Sequence, residues 1–335
     1  MVAQLDKSYV AQRPGRAIVR LISYALFEGR PLTTRGQWIN PLVSAIYRLA
    51  SRSSFFDYQQ TPLFIVGTGR SGTTILGKWL SFHRDVGYLN EPKLLWHEAC
   101  GFEDVIGSYS KGAARYVLGE DDSSAEIEQR LHRFFGLYRW FTRSGLVVDK
   151  YPELVFRVPF VKKAFPRAKF VFLVRNGWDT CQSIETWSKR LGVQQNGETH
   201  DWWGRNDRKW FLLVDELVAK DPVLGPHVEE LRQLDDHVNR AAVEWVVSMN
   251  FGLEMNRAYP DDFLLIKYED LVADVKGELT KICQFAGLAN DPGFLEYADS
   301  SVDRPPEYSA FDLLPFVEES FKATMSKFGY LQRKV

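Results

Sequence analysis

A glycine-rich loop with one cation and four hydroxyl side chains is the segment of this sequence best suited to chemistry. It reads Gly-Thr-Gly-Arg-Ser-Gly-Thr-Thr over residues 67–74. The apolar run Leu63–Val66 before it is typical of a buried strand, and the apolar residues after it recur at helical spacing: Ile75, Leu76, Trp79 and Leu80. A strand, a glycine loop and a helix in this order direct backbone N–H groups and the positive end of the helix dipole at the loop. The sequence therefore predicts a phosphate-binding loop; a glycine turn without a ligand is the alternative.

The loop departs from the nucleotide-triphosphate motif G-x-x-x-x-G-K-[ST]. Its outer glycines have that spacing, but Thr73 stands where the lysine belongs, and Arg70 is the cation of the loop. A magnesium-dependent phosphotransferase also needs an acidic residue near the end of a second strand. The strand candidate Lys169–Val174 is followed instead by Arg175, a cation that suits direct binding of a second phosphate. These differences disfavour a P-loop small-molecule kinase, which stays an alternative, as does a non-catalytic nucleotide-binding scaffold.

The same residues resemble the cofactor motifs of sulfotransferases that use 3′-phosphoadenosine 5′-phosphosulfate (PAPS). The loop is similar to their 5′-phosphosulfate loop, and residues 173–183 are similar to their 3′-phosphate motif, in which an arginine ends a strand and a serine follows eight residues later. Further matches occur in the family order at residues 149–152, 165–169 and 268–271. The resemblance covers roughly residues 61 to 290, and it is closer to the bacterial and carbohydrate-type enzymes than to the cytosolic phenol and steroid group.

The resemblance implies an α/β fold with a parallel central sheet flanked by helices, as in P-loop nucleotide hydrolases. It implies in-line transfer of a sulfuryl group from PAPS to a hydroxyl or amine, with 3′-phosphoadenosine 5′-phosphate (PAP) as the product. The residues that it assigns to the cofactor are Gly69, Arg70, Ser71, Gly72, Thr73, Thr74, Arg175 and Ser183. Arg70 matches the family's loop lysine and would offset charge on the leaving phosphate. The sequence leaves open whether the acceptor is a glycan, a lipid, a peptide tyrosine or a small metabolite.

Two side chains are candidates for the base that takes the acceptor's proton. Glu91 follows the second strand candidate and resembles the family glutamate found about twenty residues after the loop cation. Because Pro92 comes next, Glu91 is also typical of a carboxylate at a helix start. His97 is the second candidate, since a neutral imidazole is a common general base near pH 7. Lys150 would either add positive charge beside the sulfate or be an ordinary solvated lysine.

Composition narrows the range of functions. The 42 basic and 43 acidic residues give a net charge of −1, which argues against a nucleic-acid-binding surface. Neither the three cysteines nor the six histidines have metal-ligand spacing, so no metal site is predicted. Three scattered cysteines also fit a reducing, cytoplasmic compartment.

The elements that must position these residues alternate between strand and helix, which is typical of a parallel sheet covered on both faces. The strand candidates are Leu63–Val66, Val86–Leu89, Leu146–Val148, Lys169–Val174 and Phe263–Lys267. Residues 61–335 are predicted to form the sulfotransferase domain, and a helix over residues 125–138 is predicted to be capped by residues 121–124. An aromatic, helical insertion at about 186–236 either lines a substrate mouth with its tryptophans or contributes them to the core.

Residues 1–60 are predicted to form a helical extension packed on that domain. The apolar segment 16–30 contains Arg20 and Glu28, and it is too short and too charged to span a membrane. It also lacks the small-residue cleavage site of a signal peptide. The segment Trp38–Leu49 is expected to pack alongside it. Contact of the first helix with a membrane surface, or with a second copy in a homodimer, is the alternative.

Overall fold

The computed structural model describes residues 2–29, 37–195, 197–302 and 310–330. Its strands are β1 (Leu63–Gly67), β2 (Val86–Asn90), β3 (Leu146–Lys150), β4 (Lys169–Val174), β5 (Val193–Gln195), β6 (Glu198–Asp201), β7 (Gly204–Arg205) and β8 (Phe263–Lys267). Five of them form a parallel sheet in the order β2-β3-β1-β4-β8. All five predicted strands are confirmed, and the first three extend one or two residues beyond their predicted ends.

The helices flank this sheet. They are α1 (Lys7–Gln12), α2 (Pro14–Leu26), α3 (Asn40–Ala50), α4 (Thr73–Phe82), α5 (Lys93–Ala99), α6 (Ala125–Thr142), α7 (Val158–Ala164), α8 (Gly177–Leu191), α9 (Arg208–Glu216), α10 (Val228–Gln233), α11 (His237–Ala258), α12 (Tyr268–Ala273), α13 (Val275–Ala286), α14 (Pro292–Ser300) and α15 (Pro315–Lys327). The predicted cap of α6 is confirmed, because the Ser124 side chain accepts a hydrogen bond from the N–H of Ile127. The helix continues one turn beyond its predicted end.

Alternating side chains of β1 enter two separate cores, one on each face of the sheet. Phe64 and Val66 pack in a core with residues of α5, α6 and α11. Leu63 and Ile65 pack on the other face with residues of α4, α13 and α14. Burial on both faces explains why β1 is apolar at successive positions rather than at alternate ones.

The register of the sheet brings three chain segments to one edge. In β1, Ile65 pairs with Lys150 of β3, and Gly67 pairs with Leu173 of β4. Parallel strands end at the same edge of their sheet, where ligands bind in folds of this type. The loop after β1, the end of β3 and the start of the segment after β4 therefore lie together.

The first two helices are fixed to the sheet domain by specific contacts. The Tyr9 hydroxyl donates to the Ser81 carbonyl at 2.8 Å, and the Tyr9 ring lies edge-on to Phe82 with 5.1 Å between centroids. Arg13 forms a bidentate pair with Asp291 at 2.7 and 2.9 Å. No helix within the described residues is long and apolar enough to cross a membrane. The division between an extension at 1–60 and a domain at 61–335 stays a prediction.

The packing of α3 differs from its prediction. The segment does form a helix, but α3 lies mainly against α5 and α6 rather than along α2. It meets the end of α2 at Tyr47, whose hydroxyl donates to the carbonyl of Phe27. The cause is the large aromatic surface of α6, where the Phe134 ring packs against the Tyr47 ring at a tilt of 47°, with 4.7 Å between ring centroids.

The insertion contains an antiparallel sheet that the sequence did not reveal. Strands β5, β6 and β7 pair in that order before α9 begins. Each of them has at most four residues, too few for periodicity to separate a strand from a loop.

Candidate active site

The predicted phosphate loop connects β1 to α4, so the strand–loop–helix order read from the sequence is confirmed. Three loop residues have positive φ angles: 143° at Gly67, 70° at Arg70 and 91° at Gly72. This left-handed backbone folds the chain tightly onto the first turn of α4. The backbone N–H groups of Thr73 and Thr74 begin that helix and have no intrahelical acceptor. The loop is thus a cradle suited to an anion.

Two loop glycines are needed because aromatic rings cover them. A Cβ added to Gly69 would lie 2.4 Å from Cη2 of Trp202, and one added to Gly72 would lie 2.2 Å from Cδ2 of Tyr268. The Ser71 hydroxyl is buried and has no hydrogen-bond partner within the described residues. An unsatisfied buried hydroxyl in an anion cradle is what a bound oxyanion would satisfy.

The second motif meets the loop directly. Arg175 follows β4 and is 6% exposed, and its Nη1 donates to the carbonyl of Arg70 at 3.1 Å. Ser183 lies two turns into α8, where its Oγ accepts from Nε of Arg70 at 3.1 Å. Within the described part of the chain, Nε of Arg175 is buried without a hydrogen-bond partner. The structure therefore brings Arg70, Arg175 and Ser183 together, as the resemblance implied.

A supporting set of hydrogen bonds holds the second motif in place. The N–H of Asn176 donates to Glu269 at 2.9 Å, and the side chain of Asn176 caps α8. The other oxygen of Glu269 accepts from the Tyr330 hydroxyl at 2.7 Å. Burial and the nearby Glu269 carboxylate raise the pKa of Tyr330, so this hydroxyl stays a donor. Glu269 thus orients the start of α8 rather than facing the loop.

Glu91 and Lys150 form an ion pair beside the loop. Lys150 is the last residue of β3, its side chain is 2% exposed, and its ammonium contacts the Glu91 carboxylate. Glu91 has a φ of 50°, an uncommon value for a residue other than glycine. Its N–H donates to the Lys150 carbonyl at 2.8 Å, and its own carbonyl accepts from Lys93 at 2.7 Å. Backbone strain that is held by such bonds is characteristic of functional sites.

His97 lies in a different place. It is in α5, and its ring stacks on Tyr109 with 5.5 Å between centroids. It does not line the cavity that adjoins the loop, whereas His200 of β6 does. Burial and the neighbouring Arg205 lower the pKa of His200, which favours its neutral form. No local pattern in the sequence distinguishes His200 from the other histidines.

The loop opens into a cavity of about 280 Å³. Arg70, Glu91 and Lys150 line it, together with the rings of Trp187 and Trp202 from the predicted aromatic insertion. The other two tryptophans of that region, Trp203 and Trp210, are fully buried in the core. The insertion therefore contributes its tryptophans to both places.

The extension before the sheet domain supplies a further wall of this cavity. Gln4, Tyr24 and Glu28 line it on the side of Glu91. Glu28 accepts a hydrogen bond from the N–H of Asn90 at 3.1 Å and pairs with the buried Arg20. Sequence reasoning did not place these residues at the site, because the contact joins segments more than sixty positions apart.

A buried charge network forms the wall beneath Trp202, and sequence reasoning missed it too. The Lys209 ammonium lies 2.5 Å from Glu244, which also accepts from the Trp202 indole at 2.5 Å. Lys93 pairs with Glu153 at 3.3 Å. Burial alone would raise the pKa of Glu153, but Lys93 and Lys209 outweigh it and lower this pKa to about 2. The cavity thus has three buried ammonium groups, those of Lys93, Lys150 and Lys209, and the network fixes the indole over the loop.

A carboxylate on the strand next to β1 bears on the kinase alternative. Asp149 precedes Lys150 in β3, the strand that pairs with β1. Its side chain is fully buried and accepts from the Trp96 indole at 2.8 Å. Burial raises the pKa of Asp149 well above its ordinary value, which disfavours an ionised metal ligand. Among the described residues, no group of three acidic, histidine or cysteine side chains is arranged to hold a metal ion.

Comparison with known proteins identifies the family to which this chain belongs. The model of the Sulfotransferase family matches residues 62–292, and the chain belongs to that family. It is similar to the omega-hydroxy-beta-dihydromenaquinone-9 sulfotransferase Stf3 of Mycobacterium bovis and of Mycobacterium tuberculosis, with 26% identity over 201 residues in each case. The match covers 57% of this chain and 43% of each relative, so the chain spans less than half the length of these relatives.

A solved structure supports the fold independently. The crystal structure of sulfotransferase STF9 from Mycobacterium avium superposes with a TM-score of 0.51. The superposition covers 96% of this chain and 87% of that chain at 11% identity. The predicted fold class, an α/β protein with a central parallel sheet and the P-loop-like sulfotransferase fold, is confirmed.

Proposed function

We propose that this chain is a PAPS-dependent sulfotransferase that acts on a hydroxyl acceptor bound in the cavity. The observation that carries the proposal is the meeting of Arg70, Arg175 and Ser183 at the edge where the Glu91–Lys150 pair also lies. Family membership supports sulfuryl transfer. The choice of PAPS rests on a second anion site, because a 3′-phosphate is what distinguishes this donor from ATP.

The residues present fit the two phosphates of PAPS. The N–H groups of Thr73 and Thr74 would hold the 5′-phosphate together with the Ser71 hydroxyl, which has no partner among the described residues. Arg175 and Ser183 would hold the 3′-phosphate, since the Arg175 side chain has a buried donor atom without a partner in the described chain. An arginine grips a phosphate through charge-assisted hydrogen bonds and stays protonated at any physiological pH.

PAPS, when bound, supplies a sulfuryl group whose bond to the 5′-phosphate oxygen breaks as the acceptor oxygen bonds to sulfur, so that PAP keeps the electron pair and the acceptor hydroxyl loses its proton. Glu91 is proposed to take that proton on its carboxylate. Arg70 would neutralise charge at the phosphate, acting electrostatically because guanidinium is a poor proton donor. Lys150 would orient Glu91 and add positive charge beside the transferred group.

The acceptor end of the cavity is proposed to lie between the aromatic insertion and the N-terminal extension. Trp187 offers a ring face of the kind that binds sugars or apolar chains, and Tyr24 also lines the cavity. The relatives named above carry a hydroxylated dihydromenaquinone in their name. For this chain we propose the hydroxyl group alone, carried by a lipid, a glycan or a small metabolite.

Thermal unfolding with PAP and with ATP plus magnesium tests the donor assignment. PAP should stabilise the protein more than ATP with magnesium does, because a ligand that binds only the native state adds about 2.7 kcal/mol at a hundredfold excess over its Kd. A larger shift with ATP and magnesium would favour the kinase instead. Transfer of radiolabel from PAPS to a panel of glycan, lipid and small alcohol acceptors then tests catalysis. Binding of PAP without transfer to any class of acceptor would favour the non-catalytic scaffold.

A further inference from the structure

An apolar stripe runs along the solvent side of α3. Trp38 precedes the helix, and Leu42, Ala45 and Leu49 follow at intervals of four, three and four residues, which places all four on one line of the helix surface. Trp38 is 82% exposed, Leu42 54% and Leu49 67%. The helix has its own core-facing stripe on another side: Val43, Tyr47 and Ala50. The exposed stripe is therefore additional to the surface that α3 needs for packing.

Two more exposed aromatic residues extend this surface. Phe55 follows α3 in a short helical turn and is 73% exposed, and Trp140 near the end of α6 is 59% exposed. Phe56 joins them, with ring centroids 5.1 Å from Phe55 and 5.9 Å from Trp140. We refer to the five exposed side chains as the α3 patch: Trp38, Leu42, Leu49, Phe55 and Trp140. Large clustered apolar side chains on a surface mark an interaction site.

The chain segment that carries four of the five patch residues has a positive net charge. Residues 37–56 contain Arg48 and Arg52 and no acidic residue. Both arginines are exposed, and Arg48 is paired with Glu98 of α5 at 3.4 Å. The first 56 residues contain eight basic and two acidic residues, whereas the remaining 279 contain 34 basic and 41 acidic residues. The chain thus concentrates positive charge in the same segment that exposes the patch.

We propose that the α3 patch binds the surface of an anionic lipid bilayer. Its rings and leucines would enter the boundary between headgroups and acyl chains, and Arg48 and Arg52 would lie near lipid phosphates. A second copy of this chain fits less well, because a two-fold interface through the patch would place like charges of both copies together. The proposal does not depend on the reaction proposed above.

The patch also lies within reach of the catalytic cavity. Gly29 lines the cavity, and Trp38 is nine residues later in the chain. Tyr47 of α3 donates to the carbonyl of Phe27, two residues before Gly29, so the helix that carries most of the patch contacts the segment that lines the cavity.

Vesicle binding by the full chain tests the proposal. We expect co-sedimentation with vesicles that contain phosphatidylglycerol, less with phosphatidylcholine alone, and weakening by salt. Leu49→Gln and Phe55→Gln should each lower the partition coefficient by roughly tenfold, since each removes a large inserted side chain. Arg52→Ala should lower it by about fivefold. Phe211→Gln is the matched control, because Phe211 is an exposed aromatic residue of α9 and should have no effect.

Three results would overturn the proposal. The first is equal binding to neutral and anionic vesicles, and the second is binding that survives the Leu49 and Phe55 substitutions. The third is absence of binding to any of the vesicles. This result would overturn the proposal even if sedimentation velocity showed a dimer that these variants dissociate. Both side chains are exposed, so circular dichroism and Tm should match the wild type in every variant.

Discussion

Replacing Arg175 with alanine tests whether this residue recognises the 3′-phosphate, as proposed. The side chain is 6% exposed, it donates one hydrogen bond to the Arg70 carbonyl, and its Nε has no partner among the described residues. A charge-assisted hydrogen bond to a phosphate contributes about 1.5–3 kcal/mol, so the Kd for PAP should rise about ten- to a hundredfold. Ser183→Ala removes a neutral donor, worth about 0.5–1.5 kcal/mol, and should raise the Kd by up to about tenfold.

Isothermal titration with PAP and with adenosine 5′-phosphate, which lacks the 3′-phosphate, separates recognition from general weakening. Both variants should lose affinity for PAP and keep it for the second nucleotide. Arg190→Ala is the control, since Arg190 is an exposed arginine of the same helix as Ser183. Equal losses for both nucleotides would refute the assignment. Loss of the bond to the Arg70 carbonyl should cost about 1 kcal/mol of folding free energy, which urea unfolding of the free protein measures separately.

Three further predictions concern the base, the loop cation and the acid stability of the fold. Glu91→Gln should leave the Kd for PAP unchanged and lower kcat by about 10²–10⁴-fold. His97→Ala should lower kcat less, because His97 does not line the cavity. Full activity of the Glu91 variant at saturating PAPS would contradict the role of Glu91 as the base. Arg70→Ala should lower kcat and also weaken PAP binding, and an unchanged kcat would contradict leaving-group stabilisation. Burial alone would raise the pKa of Asp291, but its hydrogen bonds to Arg13 and to the backbone lower it from 3.8 to about 2. The ionised Asp291 carboxylate therefore stabilises the fold above about pH 4, and this stabilisation is lost as the pH falls through about 2. The difference in Tm between the wild type and Asp291→Asn, measured in melting scans, should shrink over that range.

The central sheet was accessible from the sequence because its strands carry strong local signals. Lys169–Val174 and Phe263–Lys267 match the observed strands residue for residue. Both are short apolar runs bounded by polar residues. Lys169–Val174 is buried on both faces, whereas Phe263–Lys267 is an edge strand in which three of the five residues are half-buried. The three short strands of the insertion carry no such signal, because most of their side chains are half-exposed or polar.

The two predicted cofactor motifs could also be recognised from the sequence. Each is a contiguous segment whose backbone conformation follows from its own residues. The loop needs Gly67 and Gly72 for positive φ, and the second motif needs Arg175 and Ser183 on the same side of a strand–helix junction. What the sequence could not show is that the Arg70 side chain reaches Ser183 across 113 positions of the chain. That contact depends on the pairing of β1 with β4.

The sequence alone therefore determined the α/β class, and it predicted the phosphate loop and, through the family resemblance, the second anion motif. The tertiary structure alone decided which other side chains share the cavity: Trp202 over Gly69, the Lys209–Glu244 pair beneath it and Tyr24 of the extension. It also separated the two base candidates, with Glu91 at the cavity and His97 outside it. The physical reason is that neighbours in sequence largely determine whether a segment forms a strand or a loop. The wall of a cavity is formed by packing between segments that are far apart in the chain, so no local pattern in the sequence reveals it.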